Sequence, residues 1–269
     1  MQDAVEAAEP LPFLVVRFFF GLLVLLPLAT WRRRRTPSAQ VAPGLLRAGI
    51  GAGLALSAGY ALQTIGLQYT TSSVSAFVTY LLVIFVPLLS AIALRRPPLP
   101  ATVAGVALSV AGLALLSAGD GVGAGRGELL TLGCAVSFAI HLLVLDEVAP
   151  RFDLVALNVV QFATVVAALA VPALLLGGWN LPLRAWGAAA YTGVVVTAVA
   201  FGLQAYGQRR VSPTGTALLL LLEPVFAAAF GYLAGERLGA AGALGALLIL
   251  AAIVVSELAT PVVPRPEDA

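Results

Sequence analysis

One carboxylate stands where hydrocarbon would otherwise be. Glu223 lies ten residues into an apolar run that begins at Pro213, which at ~1.5 Å per residue puts it ~15 Å deep, near the midplane of a core ~30 Å thick. An ionised acid there costs a few kcal/mol unless it is protonated, paired or facing water. One chemistry that fits is proton exchange: a carboxyl group facing a cavity takes up and releases a proton and couples transport to a gradient. The other is a neutral glutamic acid hydrogen-bonded to a neighbouring helix, holding a bundle together. Pro224 follows directly; it lacks an N–H and so leaves a carbonyl one turn back without a donor, a raw material for a polar site.

Arg17 is the one arginine placed inside an apolar run rather than at its edge. It lies ~9 Å from the end of that run, within reach of snorkelling. It therefore reads either as an interfacial anchor, or as a partner of Glu223 or a counter-charge for an anionic substrate. His141, the single histidine, could relay protons or hydrogen-bond a neighbouring helix. Gln63, Gln204, Thr79, Tyr80, Asn158, Gln161 and Tyr191 add uncharged donors and acceptors at different depths, and some of them should line a cavity. Gly49-x-x-x-Gly53 and Gly231-x-x-x-Gly235 are expected to pack helices closely rather than to bind ligand. Cys134 stands alone, which rules out an intrachain disulfide and a multi-cysteine metal site; it reads as a small buried hydrophobe. No cofactor is implied.

The elements that must hold these groups are apolar runs of about 20 residues, enough to cross a bilayer. Nine occur, at 11–31, 46–69, 71–94, 100–118, 128–149, 154–177, 184–207, 213–234 and 238–259. Composition agrees: 60% of the residues are hydrophobic and 10% charged, against roughly 25% charged in a soluble domain. The mean hydropathy is +1.00. A net charge of +2 gives no reason to expect nucleic acid. Met1 to Pro10 carries Asp3, Glu6 and Glu9 and no basic residue, which does not fit a cleavable signal peptide. The fold expected is all-α, a polytopic membrane bundle.

Alternating the nine runs sorts the arginines. One side collects eleven, with Arg32 to Arg35 in a row, then Arg47, Arg95, Arg96, Arg151, Arg209, Arg210 and Arg265. The other collects Arg126, Arg184 and Arg237. The positive-inside rule makes the first side cytoplasmic. The C-terminus is then expected in the cytoplasm and the N-terminus outside. Trp31, Trp179 and Trp186 fall near run ends, at headgroup level.

The two halves repeat. Val15-Val16-Arg17-Phe18 matches Val159-Val160-Gln161-Phe162, and Leu62-Gln63-x-x-Gly66 matches Leu203-Gln204-x-x-Gly207. Arg96 corresponds to Glu236, and the two lie on opposite sides by the count of runs. Matched elements facing opposite ways define an inverted repeat. The division expected is 1–118, a glycine-rich linker over 119–127, 128–260 and a cytoplasmic tail over 261–269, with four helices before the linker and five after. The position matching Glu223 in the first half is apolar, near Leu82, so any acid chemistry is asymmetric.

These residues resemble the EamA domain of the drug/metabolite transporter superfamily. The second half carries the likeness through Gly127-Glu128-Leu129-Leu130, Ser212-Pro213-Thr214-Gly215, Leu222-Glu223-Pro224-Val225-Phe226 and Gly235-Glu236-Arg237-Leu238. The first half carries it through Arg17-Phe18, Gly66-Leu67-Gln68-Tyr69-Thr70-Thr71 and Phe85-Val86-Pro87-Leu88-Leu89. The resemblance implies ten helices in two inverted five-helix repeats, and nothing before Leu11 matches the first of them. It also implies a secondary exporter of small metabolites or drugs. The inverted halves lead us to expect alternating access driven by protons or by the substrate gradient, and the lysine-free composition rich in Ala, Leu, Gly and Val points to a bacterial plasma membrane. The expected partners are a small-molecule substrate, the lipid bilayer and a second copy of the chain. Two alternatives stay open: a non-transporting remnant or subunit that needs a partner helix, and an intramembrane enzyme. For the enzyme no convergent catalytic set is visible, since Asp120, Asp146 and Asp153 sit at run ends and one histidine cannot make a His-Glu-x-x-His site.

Overall fold

The computed structural model describes residues 9–35, 42–93, 95, 97–117, 125–176, 179, 181–233 and 239–259. Among these, every regular element is a helix: α1 (Pro10–Arg35), α2 (Leu45–Gly66), α3 (Ser72–Tyr80), α4 (Leu82–Ala93), α5 (Pro100–Leu116), α6 (Arg126–Val148), α7 (Leu154–Leu176), α8 (Leu183–Tyr191), a π segment (Thr192–Val199), α9 (Ala200–Gly207), α10 (Pro213–Leu220), α11 (Leu222–Leu233) and α12 (Ala240–Ala259). Seven helical stretches are long and apolar enough to cross a membrane, and two shorter apolar helices, Pro100–Leu116 and Ala240–Ser256, take the remaining two runs. The nine expected runs therefore all appear, with ends displaced by a few residues.

The displacements have causes. α1 continues through Arg32–Arg35 because four cations in a last turn complement the negative end of the helix dipole. α6 starts at Arg126, so the expected linker is shorter by two residues. Gly127 is a packing glycine there: a Cβ on it would stand 2.8 Å from Thr70 Cβ. Two runs are broken, at Leu81 and Leu221, and a third widens into the π segment. Arg96, Gly235-Glu236-Arg237-Leu238, most of the linker including Asp120, and the tail lie outside the described residues.

The chain forms two compact units, each drawing on both sequence halves. The first comprises Met1–Ile65 with Val144–Arg209, the second Gly66–Leu143 with Arg210–Ala269. In the first unit α1 packs on α7, its repeat mate. Phe18 meets Phe162 edge to face at 5.4 Å, while Arg32 at the far end of α1 reaches Asp153 ahead of α7, so the two helices run antiparallel. α2 runs parallel to α7: Gly49 lies against Val160 and Gly53 against Thr164. The glycine pair thus packs as its spacing predicts; of the other pair, Gly235 lies outside the described residues and the surroundings of Gly231 are not described.

One joint in this unit is made twice. Gly53 lies against the Gln161 carbonyl, where a Cβ would stand 2.8 Å from the oxygen, and Gly193 lies against the Arg17 carbonyl. Arg17 and Gln161 are repeat mates, and Gly53 and Gly193 occupy matching places in theirs. The second unit repeats the logic. Gly105 faces the Ala252 carbonyl and Gly245 faces the Gly112 carbonyl, with Cβ distances of 3.0 and 2.5 Å. The numbers climb in opposite directions, so α5 and α12 are antiparallel mates. Within each unit, then, matched helices point opposite ways, as inverted halves require. The core of the second unit is apolar, built from Leu82, Val83, Val86, Leu113, Leu142, Leu218, Leu221 and Ile249.

Candidate functional site

In the second unit, polar chemistry gathers at a helix break. Ser212 caps α10, its hydroxyl accepting from Gly215 N at 3.1 Å, with Pro213 at the first helical position. α10 then stops at Leu220, the residue whose carbonyl would have bonded the N–H that Pro224 lacks. Leu221 N–H turns back to Leu218 O at 3.0 Å, and α11 begins afresh with Glu223 in its first turn. A carboxylate in that position sits at the positive end of the new helix dipole. Half-helix ends near the midplane are places where membrane transporters hold charge.

Glu223 is exposed and lines an open groove of about 290 Å³ together with Phe77, Tyr80, Ser117 and Pro224. Two of the residues singled out in the sequence, Glu223 and Tyr80, therefore come together, along with Ser117, which the sequence did not single out. Thr79, one residue from Tyr80, is buried and hydrogen-bonds Cys134 on α6. One turn earlier Ser75 and Thr131 meet at 3.5 Å, so this face of α3 is seam rather than groove. His141 is buried in the same unit. Thr216 Oγ1 is buried with no hydrogen-bond partner among the described residues. At the start of α6, Thr70 Oγ1 donates to Glu128 Oε1 at 2.7 Å.

In the first unit the centre is Arg17, half-buried. Its Nε donates to Thr197 Oγ1 at 2.9 Å and its Nη2 to the Tyr60 hydroxyl at 3.3 Å. The guanidinium lies 5.0 Å from the Tyr60 ring centroid, inside cation–π range. Beside it, Phe18, Tyr60, Phe162 and Phe201 form a cluster of edge-to-face and tilted rings, with Phe162 and Phe201 edge to face at 5.8 Å. The cation is thus tied to two further helical segments. Thr197 belongs to the π segment, a helical distortion that often marks functional places. Gln161, the mate of Arg17, is wholly buried and donates to Asn158 Oδ1 at 3.0 Å. Gln204 donates to Gln208 Oε1 at 3.4 Å. Gln63 is half-buried and Tyr191 exposed. Tyr60 and Thr197 were missed in the sequence, and only a tyrosine three residues before Gln63 hinted at the first.

Among the described residues, no three His, Cys, Asp or Glu side chains gather so as to hold a metal. What is assembled is a polytopic helical membrane protein with an acid in an open groove at a helix break and a cation held against aromatic rings. The model of the EamA-like transporter family matches residues 1–118 and 125–258, and the chain belongs to that family. A relative from Archaeoglobus fulgidus described as an uncharacterized transporter is 28% identical over 258 residues, 95% of this chain and 79% of that one. A protein of known crystal structure shares the fold with a TM-score of 0.78 at 22% identity, over 96% of this chain and 90% of the other. The protein is accordingly a multi-pass membrane transporter, and the family places it with transporters rather than enzymes.

Proposed function

We propose that the chain is a secondary transporter that carries small metabolites or drugs outward by alternating access across a bacterial plasma membrane, exchanging a proton at Glu223. The observation that carries this reading is the placement of Glu223: a titratable side chain in the first turn of a broken helix, exposed in a groove with Tyr80 and Ser117. Such a group is neutral when protonated and negatively charged when ionised. Its two protonation states therefore interact differently with a neutral cargo and with a cationic one. Antiparallel repeat mates support the alternating cycle, because inverted halves can exchange conformations through equivalent packings.

The test is transport in proteoliposomes with a panel of small organic molecules and an imposed pH gradient. The native protein is expected to move at least one class of cargo against its gradient when protons flow the other way. Glu223→Gln keeps the size of the side chain and removes its titration. It should insert normally and lose pH-driven transport. Undiminished pH-driven transport by that variant would remove the proton from this site.

A further inference from the structure

The first unit holds a second cavity, far in character from the groove at Glu223. It measures about 380 Å³ and lies between the last turns of α1, the first turn of α2 and the start of α7. That volume falls within the ~300–1,000 Å³ typical of small-ligand pockets. Its wall is divided. Leu26, Leu45 and their apolar neighbours form one part, and Arg32, Arg33, Arg151 and Asp153 form the rim.

The rim charges are unequally committed. Arg32 Nη2 lies 3.6 Å from Asp153 Oδ2, with both side chains partly in solvent. Asp153 also accepts the backbone N–H of Ala156 at 3.0 Å, capping α7. Arg151 pairs with Glu147 at 3.1 Å. Arg33 makes no ion pair among the described residues. Three cations against one lining carboxylate, plus Glu147 behind Arg151, leave the mouth positive. Exposed pairs such as these are weak and exchange readily for a stronger anion.

We infer that this cavity is a binding site for an anionic phospholipid of the leaflet facing the arginine-rich end. The phosphate takes the fork-shaped donors of Arg32 and Arg33, and the glycerol and first part of an acyl chain occupy the apolar wall. Two features point to a lipid rather than a free anion. Arginines at a helix end stand at headgroup depth, where basic pockets between transmembrane helices hold acidic lipids. Most of the cavity lining is apolar and would contribute nothing to a bare phosphate.

The full chain in a neutral detergent is titrated with dioleoyl phosphatidylglycerol, dioleoyl phosphatidylcholine and inorganic phosphate, and bound lipid is read by native mass spectrometry. The anionic phosphatidylglycerol is expected to be retained and the zwitterionic phosphatidylcholine lost. Arg32→Gln with Arg33→Gln should weaken retention about thirtyfold, at the usual contribution of each basic residue to acidic lipid. Arg34→Gln with Arg35→Gln removes the same charge from residues that do not line the cavity, and should change retention far less. Ala156→Phe puts a bulky ring into the apolar wall of the cavity while keeping every charge, and should also weaken lipid retention. Equal retention of both lipids, equal loss in the two arginine pairs, or full retention by Ala156→Phe would each overturn the assignment. Displacement of the lipid by inorganic phosphate, with phosphate binding undiminished in Ala156→Phe, would make this a plain anion site and overturn it too.

Discussion

The run that forms α3 and α4 and the run that forms α10 and α11 are the same construction with different contents. Each opens on a hydroxyl cap, Thr71 in one and Ser212 in the other. Each breaks after one short helix, at Leu81 and at Leu221, 140 residues apart. The continuations differ. α4 resumes with Leu82 and Val83, both buried in the apolar core. α11 resumes with Leu222 and Glu223, the latter exposed beside the groove, and then Pro224. Pro224 accounts for the second break by removing the donor to Leu220. Nothing comparable stands at Ile84, and Pro87 acts on the carbonyl of Val83, beyond the first break. The break therefore belongs to the repeat itself, and the acid stands in one copy only.

Four variants test that distinction, in descending order of expected effect. Moving the acid to the matching place, Val83→Glu, puts a carboxyl group into a fully buried apolar position. It should cost several kcal/mol and yield little monodisperse protein on size-exclusion chromatography in detergent. Glu223→Gln should leave that elution profile unchanged while abolishing pH-driven transport in proteoliposomes. A variant that transports normally would erase the functional difference between the two runs. Arg17→Gln removes charged donors to Thr197 and Tyr60, and should lower stability by about 1.5–3 kcal/mol, seen as a reduced melting temperature. Pro224→Ala restores a backbone N–H beside Leu220. If the break is intrinsic to the repeat, amide exchange around 220–224 should slow only about fivefold, equivalent to roughly 1 kcal/mol. Protection matching the middle of α7 would show that the proline alone holds α10 and α11 apart.

Much of this architecture was readable beforehand, because each apolar run reports its own solvent. All nine runs became helical stretches, and Gly49 and Gly53 packed as their spacing indicated. The matches Arg17 to Gln161 and Gln63 to Gln204 identified helices that occupy equivalent places. What stayed hidden was non-local. The Leu81 break has no residue that announces it. The π segment sits where Gly193 receives the Arg17 carbonyl, a contact between residues 176 positions apart. The partners of Arg17 come from Tyr60 on one helix and Thr197 on another, and no periodicity within α1 could name them. Thr79 and Tyr80 illustrate the same limit: adjacent in sequence and both polar, one fastens α3 to α6 and the other lines the groove.

Cys134 is fully buried and hydrogen-bonded to Thr79. A chain whose sole thiol is sealed away is chemically silent toward impermeant maleimides. Single cysteines introduced at Arg33 and at Arg126 would then report, one variant at a time and without first replacing the native cysteine, which compartment each of these two helix ends faces.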